Sequence, residues 1–219
     1  MKTTLLIMAA GITGGVLLAP VWAHEGHDHG ADAQRGREPQ GHDHQARESQ
    51  AEVKFGKYER SLQVYVVPDV TLVNANARPI RMRELLAVDG PVMLDFFFTT
   101  CTAICPAMST VFSKVPEKMW NGAGKLRMIS VSIDSENDTP AQLKAYAKQI
   151  GAGANWQFFT GSREDIETVQ RSFDSYHDNK LDAEPLTFLR PAPGKPWVRI
   201  NGFASADELA REYRNVVPN

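Results

Sequence analysis

The chain has 219 residues, with 24 Lys or Arg against 26 Asp or Glu, so its formal net charge is −2 at pH 7. It contains no long basic run, which excludes the electrostatic footprint of a nucleic-acid-binding protein. Hydrophobic residues make up 42% of the chain, and this is enough to bury the core of one domain of ordinary size.

Residues 1–23 predict a secretory signal peptide. Lys2 supplies a positive charge, an apolar run covers residues 5–19, and Pro20 ends that run before the small-residue pattern of residues 21–23. The run is short for a membrane span, which needs about 20 apolar residues. We therefore expect cleavage after residue 23 and export to the periplasm. The alternative is an uncleaved anchor in the inner membrane that faces the periplasm.

Residues 24–52 predict a disordered tail, because they contain no Leu, Ile, Val, Phe, Tyr or Trp with which to bury apolar surface. Five of the chain's six histidines lie there: His24, His27, His29, His42 and His44. Imidazole is the commonest metal ligand, but a His-rich tract without a scaffold rarely forms one defined site. We expect weak metal binding by this tail, and the alternative is a solubilising linker.

Residues 53–219 predict one globular domain. Two short strands are expected first, over 64–67 and 70–73, and a short helix follows over 83–86. Residues 92–98 form a near-continuous apolar run with one acidic member. Such a run is typical of a strand that is buried on both faces.

The later elements continue to alternate between strands and helices. Further strands are expected at 126–133, 156–159, 186–189 and 197–200, and further helices begin near Pro106, Thr139, Ser162 and Ser205. Alternation of this kind predicts an α/β fold with helices on both faces of the sheet. A central strand that leads into a cysteine motif and then a helix is the thioredoxin arrangement. We therefore predict a thioredoxin-like fold with a central mixed sheet and an added N-terminal β-hairpin.

The cysteines, Cys101 and Cys105, lie at the predicted strand-to-helix corner. Pro106 suits the first position of a helix, which places Cys105 near the N-cap. A helix N-terminus lowers the pKa of a thiol, and the thiolate is both nucleophile and metal ligand. Thiolates favour Cu(I), zinc or iron–sulfur clusters, and because zinc takes four ligands, two cysteines favour copper. A structural disulfide is the alternative, although so small a loop would constrain the unfolded chain little.

Two segments resemble the signatures of the Sco family of copper chaperones. Residues 96–106 read F-x-F-x-x-C-x-x-I-C-P, and residues 131–140 read VSIDSENDTP. The resemblance extends from about residue 62 to the C-terminus. It implies a thioredoxin fold, an exported or membrane-tethered location, and a role in assembling the binuclear copper centre of cytochrome c oxidase. Copper would be held by the two cysteines and a distal histidine, and the partner would be oxidase subunit II or another exported copper protein.

The chain departs from the family pattern at that histidine. The family places it just before the strand expected here at 186–189, but residues 181–185 read LDAEP. His177, in a polar loop, is the one histidine outside the tail and is a candidate third ligand; a surface histidine is the alternative. Pro185 is a candidate for the cis-proline that thioredoxin-like reductases place opposite their cysteines, and a trans proline at a strand start is its alternative.

Two functions remain open from the sequence. In the first, the protein is a copper chaperone in which the cysteines hold copper, with a third ligand from His177, the tail or a partner. In the second, it is a thiol–disulfide oxidoreductase without stable copper binding, in which one cysteine attacks a partner and the other resolves the mixed disulfide. The sequence does not decide which cysteine attacks.

Overall fold

The computed structural model describes residues 56–119 and 126–217. The predicted signal peptide and the predicted His-rich tail both lie outside the described residues. Among the helices in the two described ranges, none is long and apolar enough to cross a membrane.

The described residues form eight strands and five α-helices. The strands are β1 Lys57–Gln63, β2 Thr71–Asn74, β3 Pro79–Arg81, β4 Val92–Phe97, β5 Arg127–Ser132, β6 Trp156–Thr160, β7 Leu186–Arg190 and β8 Trp197–Phe203. The helices are α1 Met82–Leu86, α2 Ile104–Lys118, α3 Pro140–Gln149, α4 Arg163–Ser172 and α5 Ala206–Val216. A 3-10 turn covers Lys180–Asp182.

All eight strands belong to one mixed sheet in the order β1-β8-β7-β4-β5-β6-β2-β3. Strands β4, β5 and β6 run parallel, and a helix follows each of β4 and β5, as a parallel connection requires. The remaining neighbours pair antiparallel. The predicted α/β fold, with a central mixed sheet flanked by helices, is confirmed.

Helices cover both faces of the sheet, and β4 lies at its centre. Met93 and Phe97 point to the face that carries α2, α3 and α5, whereas Leu94 points to the face that carries α1 and α4. Successive side chains of a strand alternate between faces, and both faces are buried here. This is why the sequence of β4 is almost entirely apolar.

The first strand lies earlier in the chain than predicted. Strand β1 ends at Gln63, which pairs with Trp197, the first residue of β8. Since β8 offers no partner beyond that pair, Val64 and Val66 continue outside the sheet with exposures of 82% and 78%. The prediction of a strand over 64–67 is therefore wrong.

An N-terminal β-hairpin is present, and it is formed by β2 and β3. The side-chain oxygen of Asn74 accepts hydrogen bonds from the backbone N–H groups of Asn76 and Arg78, which closes the turn. Strand β1 takes no part in this hairpin, because it pairs with β8 at the other end of the sheet order. Strand β1 and the β2–β3 hairpin thus extend the sheet at opposite edges.

Candidate functional site

Both cysteines lie at the corner where β4 leads into α2. Cys101 sits in the connecting loop, and Cys105 is the second residue of α2, which begins at Ile104. The helix therefore begins before Pro106, the predicted first position. Proline is tolerated as the third residue, because the first backbone N–H groups of a helix have no intrahelical partner.

The sulfur of Cys101 caps this helix. Ala103 occupies the N-cap position but makes no side-chain capping hydrogen bond. Instead, the backbone N–H of Cys105 donates to Cys101 Sγ at 3.3 Å. Both cysteines are free thiols; Cys101 is half-buried and Cys105 is only 5% exposed. The corner therefore gathers the two sulfurs into one site, with one of them open to solvent.

The two cysteines differ strongly in acidity. The hydrogen bond from the Cys105 thiol lowers the pKa of Cys101 to about 5; partial burial opposes this, and backbone N–H groups of Cys105, Ala103 and Ile104 reinforce it. The same hydrogen bond, followed by burial, raises the pKa of Cys105. Cys101 is therefore a thiolate at neutral pH, the form that attacks disulfides and binds soft metals, whereas Cys105 keeps its proton.

The two cysteines line a cleft of about 150 Å³ with walls from two separate segments. We name residues 96–105 the corner wall; it includes the end of β4, the loop and the first turn of α2. We name residues 180–184 the loop wall; it contributes Lys180, Leu181, Ala183 and Glu184 to the lining. The loop wall is the segment that precedes β7, where the sequence departs from the family pattern.

A buried carboxyl group stands close to the cysteines. Asp95, on β4, is only 2% exposed and accepts a hydrogen bond from the hydroxyl of Ser130. That hydroxyl in turn accepts one from Trp156 Nε1 at 2.8 Å. Burial raises the pKa of Asp95 to about 7, against the opposing effect of the Ser130 hydrogen bond. Asp95 also contributes to the raised pKa of Cys105 through charge repulsion.

The second signature reaches the corner wall through Asp138, which is fully buried. Its carboxylate accepts a hydrogen bond from the backbone N–H of Thr99 at 3.0 Å and another from the Thr99 hydroxyl. It also accepts one from the hydroxyl of Ser132, at the end of β5. Asp138 therefore fixes the loop two residues before Cys101.

The same signature reaches the loop wall through Asp134, which is 6% exposed. Its carboxylate forms an ion pair with the ammonium group of Lys180 and accepts hydrogen bonds from Asn137 Nδ2 at 2.9 and 3.1 Å. Lys180 Nζ also lies 5.3 Å from the centre of the Phe98 ring, in the corner wall. Thus one short segment contacts both walls of the cleft.

The structure does not bring His177 together with the cysteines. His177 lines a neighbouring cleft of about 420 Å³ with Asp134 and Tyr176, and it is absent from the lining of the cysteine cleft. Lys180 and Ile133 line both clefts, so the two clefts are neighbours. Across residues 56–119 and 126–217, no group of three or more His, Cys, Asp or Glu side chains can hold a metal ion.

The hypothesis of a cis peptide bond at Pro185 is wrong, because all peptide bonds in the described residues are trans. The carbonyl of Pro185 accepts a hydrogen bond from the backbone N–H of Gly202 at 2.9 Å, next to the first β7–β8 pair. Pro185 therefore lies directly before β7 with a trans peptide bond, the geometry that X–Pro bonds favour by roughly 0.5–1 kcal/mol. The site lacks the cis-proline of a dithiol reductase.

Comparison with known proteins identifies the family. A family model described as SCO1/SenC matches residues 59–214, a range that includes both cysteines and the second signature. This chain belongs to the SCO1/SenC family. The SCO1 protein homolog of Bacillus subtilis (strain 168) is 37% identical over 106 residues, which are 47% of this chain and 53% of that protein. The chain thus spans about half the length of the curated relatives it matches.

Solved Sco structures share the fold. BsSco, described as a member of the Sco family of cytochrome c oxidase assembly proteins with a disulfide switch, is 27% identical with a TM-score of 0.60, covering 71% of this chain and 95% of that one. Copper-bound ScoI of Bradyrhizobium japonicum is 22% identical with a TM-score of 0.58, covering 69% of this chain and 99% of that one. These matches confirm the predicted thioredoxin-like Sco fold.

The sequence of this Sco protein identifies the two cysteines but not the side chains that hold the cysteine loop in place. Thr99 and Lys180 carried no recognisable signal, because their partners lie far along the chain. Asp95 did carry one, since it is the charged residue within the apolar run of β4. An ionisable side chain in a strand that is buried on both faces is a candidate for a perturbed pKa.

Proposed function

We propose that this Sco-family protein binds copper through Cys101 and Cys105 and supplies it during assembly of the copper centre of cytochrome c oxidase. The observation that carries the proposal is the pair of free thiols in one cleft, with the Cys105 N–H bound to Cys101 Sγ at 3.3 Å. Two relatives support it, one solved with copper bound and one described as an oxidase assembly protein. The proposed setting is the periplasm, and the proposed partner is oxidase subunit II or another exported copper protein.

The donor set fits Cu(I) as cargo. Two sulfurs are soft ligands that suit Cu(I), whereas zinc would require four ligands, and the described part of the chain offers no larger cluster. Cys101 already presents a thiolate, but Cys105 must release its proton when a metal binds. Copper affinity is therefore expected to rise with pH. A third ligand would come from the His-rich tail or from the partner.

A competition titration tests this proposal. The reduced full-length protein is titrated with Cu(I) against chelators of increasing strength, and we expect one copper per chain. Cys101→Ser and Cys105→Ser should each weaken binding by about a hundredfold or more, because a soft ligand is lost. Thr102→Ser, an exposed change between the two cysteines, is the matched control and should bind as the unaltered protein does. Failure of the unaltered protein to compete with weak chelators would contradict the proposal.

The unequal acidity of the two thiols favours a second candidate function, a thiol–disulfide oxidoreductase. The Cys101 thiolate attacks one sulfur of a partner disulfide and forms a mixed disulfide with it, the partner S–S bond breaks, and the other partner sulfur leaves as a thiolate. Cys105 then loses its proton to solvent and attacks Cys101 Sγ, which forms the Cys101–Cys105 disulfide and releases the second partner thiolate. The pair is oxidised by two electrons and the partner disulfide is reduced.

Labelling kinetics test the assignment of these roles. At pH 7 we expect iodoacetamide to modify Cys101 at least about a hundredfold faster than Cys105, since two pKa units alone change the thiolate fraction by that factor. The Cys105→Ser variant should accumulate a mixed disulfide with an oxidised partner, whereas Cys101→Ser should not. Equal labelling of both cysteines, or trapping through Cys105, would rule out this order of attack.

A further inference from the structure

The turn after β5 carries two buried aspartates that hold different walls of the cysteine cleft. Asp138 is fully buried and Asp134 is 6% exposed. Neither side chain lines the surface around Cys101, so neither is placed to touch copper or a partner sulfur. Asp138 nevertheless accepts hydrogen bonds from the corner wall, and Asp134 forms an ion pair with the loop wall.

On the corner wall, Asp138 controls where the loop before Cys101 runs. It binds both the backbone N–H and the hydroxyl of Thr99, and the backbone N–H of Cys101 donates to the carbonyl of Phe98 at 3.2 Å. These bonds fix the chain on each side of residue 100. Cys101 Sγ is thereby held where the backbone N–H of Cys105 reaches it.

On the loop wall, Asp134 controls the position of Lys180. The ion pair holds the first residue of the 3-10 turn, while the ammonium group lies over the face of the Phe98 ring. Lys180 therefore touches the second signature and the corner wall at once. The position of Lys180 also determines the position of the rest of the loop wall, because the 3-10 turn begins at Lys180.

The two aspartates are themselves joined in one compact turn. The backbone N–H of Asp138 donates to the carbonyl of Asp134 at 2.8 Å. The Ser132 hydroxyl donates to the Asp138 carboxylate and accepts the backbone N–H of Asp134 at 3.0 Å. A displacement of one aspartate is therefore passed to the other.

We infer that Asp134 and Asp138 act as paired positioning residues that fix the separation of the corner wall and the loop wall, and so set the reactivity and accessibility of Cys101. This gives the second Sco signature a physical role, because its two aspartates contact the two walls of the cleft. The inference rests on the proposed function, since it concerns the chemistry of the same cysteine pair. The two are separable because the unaltered protein tests the function and the variants test the positioning.

The corner-wall half is tested with Thr99, because Asp138 itself supports the fold. In glutathione buffers the dithiol is oxidised to the Cys101–Cys105 disulfide while glutathione disulfide is reduced to two thiols. Thr99→Val should shift this equilibrium toward the protein disulfide by about tenfold, the size expected when one hydrogen bond to a charged group no longer holds the thiolate-bearing loop. Thr99→Ser keeps the hydroxyl and should restore the equilibrium of the unaltered protein.

Thr160→Val is the matched control for that substitution. The Thr160 hydroxyl is buried without a hydrogen-bond partner, so the change to valine removes no bond and should leave the equilibrium within about twofold. If Thr99→Val behaves like Thr160→Val, the corner-wall half of the inference is overturned.

The loop-wall half of the inference is tested by comparing the rates at which Cys101 reacts with a large and a small reagent. Lys180→Gln breaks the ion pair and should let the loop wall move outward. The rate of Cys101 with a bulky aromatic disulfide, relative to iodoacetamide, should then rise about threefold, within the range for a partly exposed ion pair. Lys180→Arg should restore the original ratio. Lys118→Gln, which breaks the exposed pair with Asp207 at 3.2 Å, is the control and should leave it unchanged.

A double-mutant cycle separates positioning from general loosening of the fold. Asp138→Asn removes the charge to which the Thr99 hydroxyl donates, so adding Thr99→Val to it should shift the disulfide equilibrium much less than Thr99→Val does alone. Urea unfolding checks that Asp138→Asn is folded under these conditions. Fully additive shifts, or an unchanged reagent ratio in Lys180→Gln, would overturn the inference while leaving the proposed function intact. An unaltered protein that does not compete with weak chelators for Cu(I) would instead overturn the proposed function.

Discussion

The corner wall and the loop wall of the cysteine cleft are built in contrasting ways. The corner wall grows out of the central strand, contains the buried Cys105, and is fixed by the hydrogen bonds of Asp138 to Thr99. The loop wall is exposed, with Leu181 at 72% exposure, and its described contact with the second signature is the Lys180–Asp134 ion pair. Thiol acidity is therefore a property of the corner wall, whereas ligand number and partner fit depend on the loop wall.

This contrast bears on the two candidate functions of the Sco protein. Everything that lowers the pKa of Cys101 comes from residues 103–105, so the acidity of the attacking thiol requires nothing from the loop wall. A third copper ligand from the lining of the cleft itself would require a donor on the loop wall, and residues 180–184 contain no histidine or cysteine. Substitutions in the strand that supports the corner wall should therefore have effects separable from those of substitutions in the loop wall.

The largest effect is expected from Asp95, which supports the corner wall from within the sheet. Burial raises its pKa from 3.8 to about 7 in the folded protein. Between pH 4 and 7 the folded protein keeps a proton that the unfolded chain releases, so this group makes the free energy of unfolding fall as pH rises. Asp95→Asn should remove that dependence, and its stability relative to the unaltered protein should rise by up to about 4 kcal/mol over this interval.

Urea unfolding of both proteins at a series of pH values measures this difference. Asp89→Asn is the matched control, because Asp89 is exposed and the change should keep the pH dependence of the unaltered protein. A stability difference between Asp95→Asn and the unaltered protein that stays constant from pH 4 to 7 would mean that Asp95 is ionised in the fold throughout this range.

The contrast between the walls also explains which features the sequence could predict. The corner wall follows from local signals: an apolar strand, two cysteines and the start of a helix, all within residues 92–106. The start of α3 near Thr139 is equally local and is confirmed, since Thr139 and Gln142 form a reciprocal capping box there. Local signals specify structure because the groups that satisfy them are neighbours in the chain.

The remaining features depend on contacts between distant residues. Asp134 and Lys180 are 46 positions apart, and Thr99 and Asp138 are 39 apart, so no motif spacing reveals either pair. The wrong prediction of a strand over 64–67 has the same cause. Val64 and Val66 are apolar and alternate, but strand formation required a partner, and β8 begins opposite Gln63.

A smaller effect is expected when a ligand is added to the loop wall. Ala183 lines the cysteine cleft whereas Asp182 does not, so Ala183→His places an imidazole beside the sulfurs. We expect it to tighten copper binding by about tenfold relative to the unaltered protein, since a third donor completes a soft-ligand site. Competition titration of the reduced protein measures this change.

Asp182→His is the matched control, because it adds the same side chain to the same turn outside the cleft. It should leave copper affinity unchanged. Equal affinities for the two variants would show that the loop wall does not approach the sulfurs closely enough to contribute a ligand, and the separation of the two walls would then govern partner access alone.

The smallest effect is expected from His177, the histidine that the sequence offered as a third ligand. It lines the polar cleft with Asp134 and Tyr176 and is absent from the lining of the cysteine cleft, so His177→Ala should change copper affinity by less than about twofold, far below the loss expected for a metal ligand. A chain with alanine at all five tail histidines provides the comparison, since that tail is the other source of imidazole. A tenfold loss in His177→Ala alone would show that the polar cleft and the cysteine cleft join when copper binds, and that the loop wall moves to allow it.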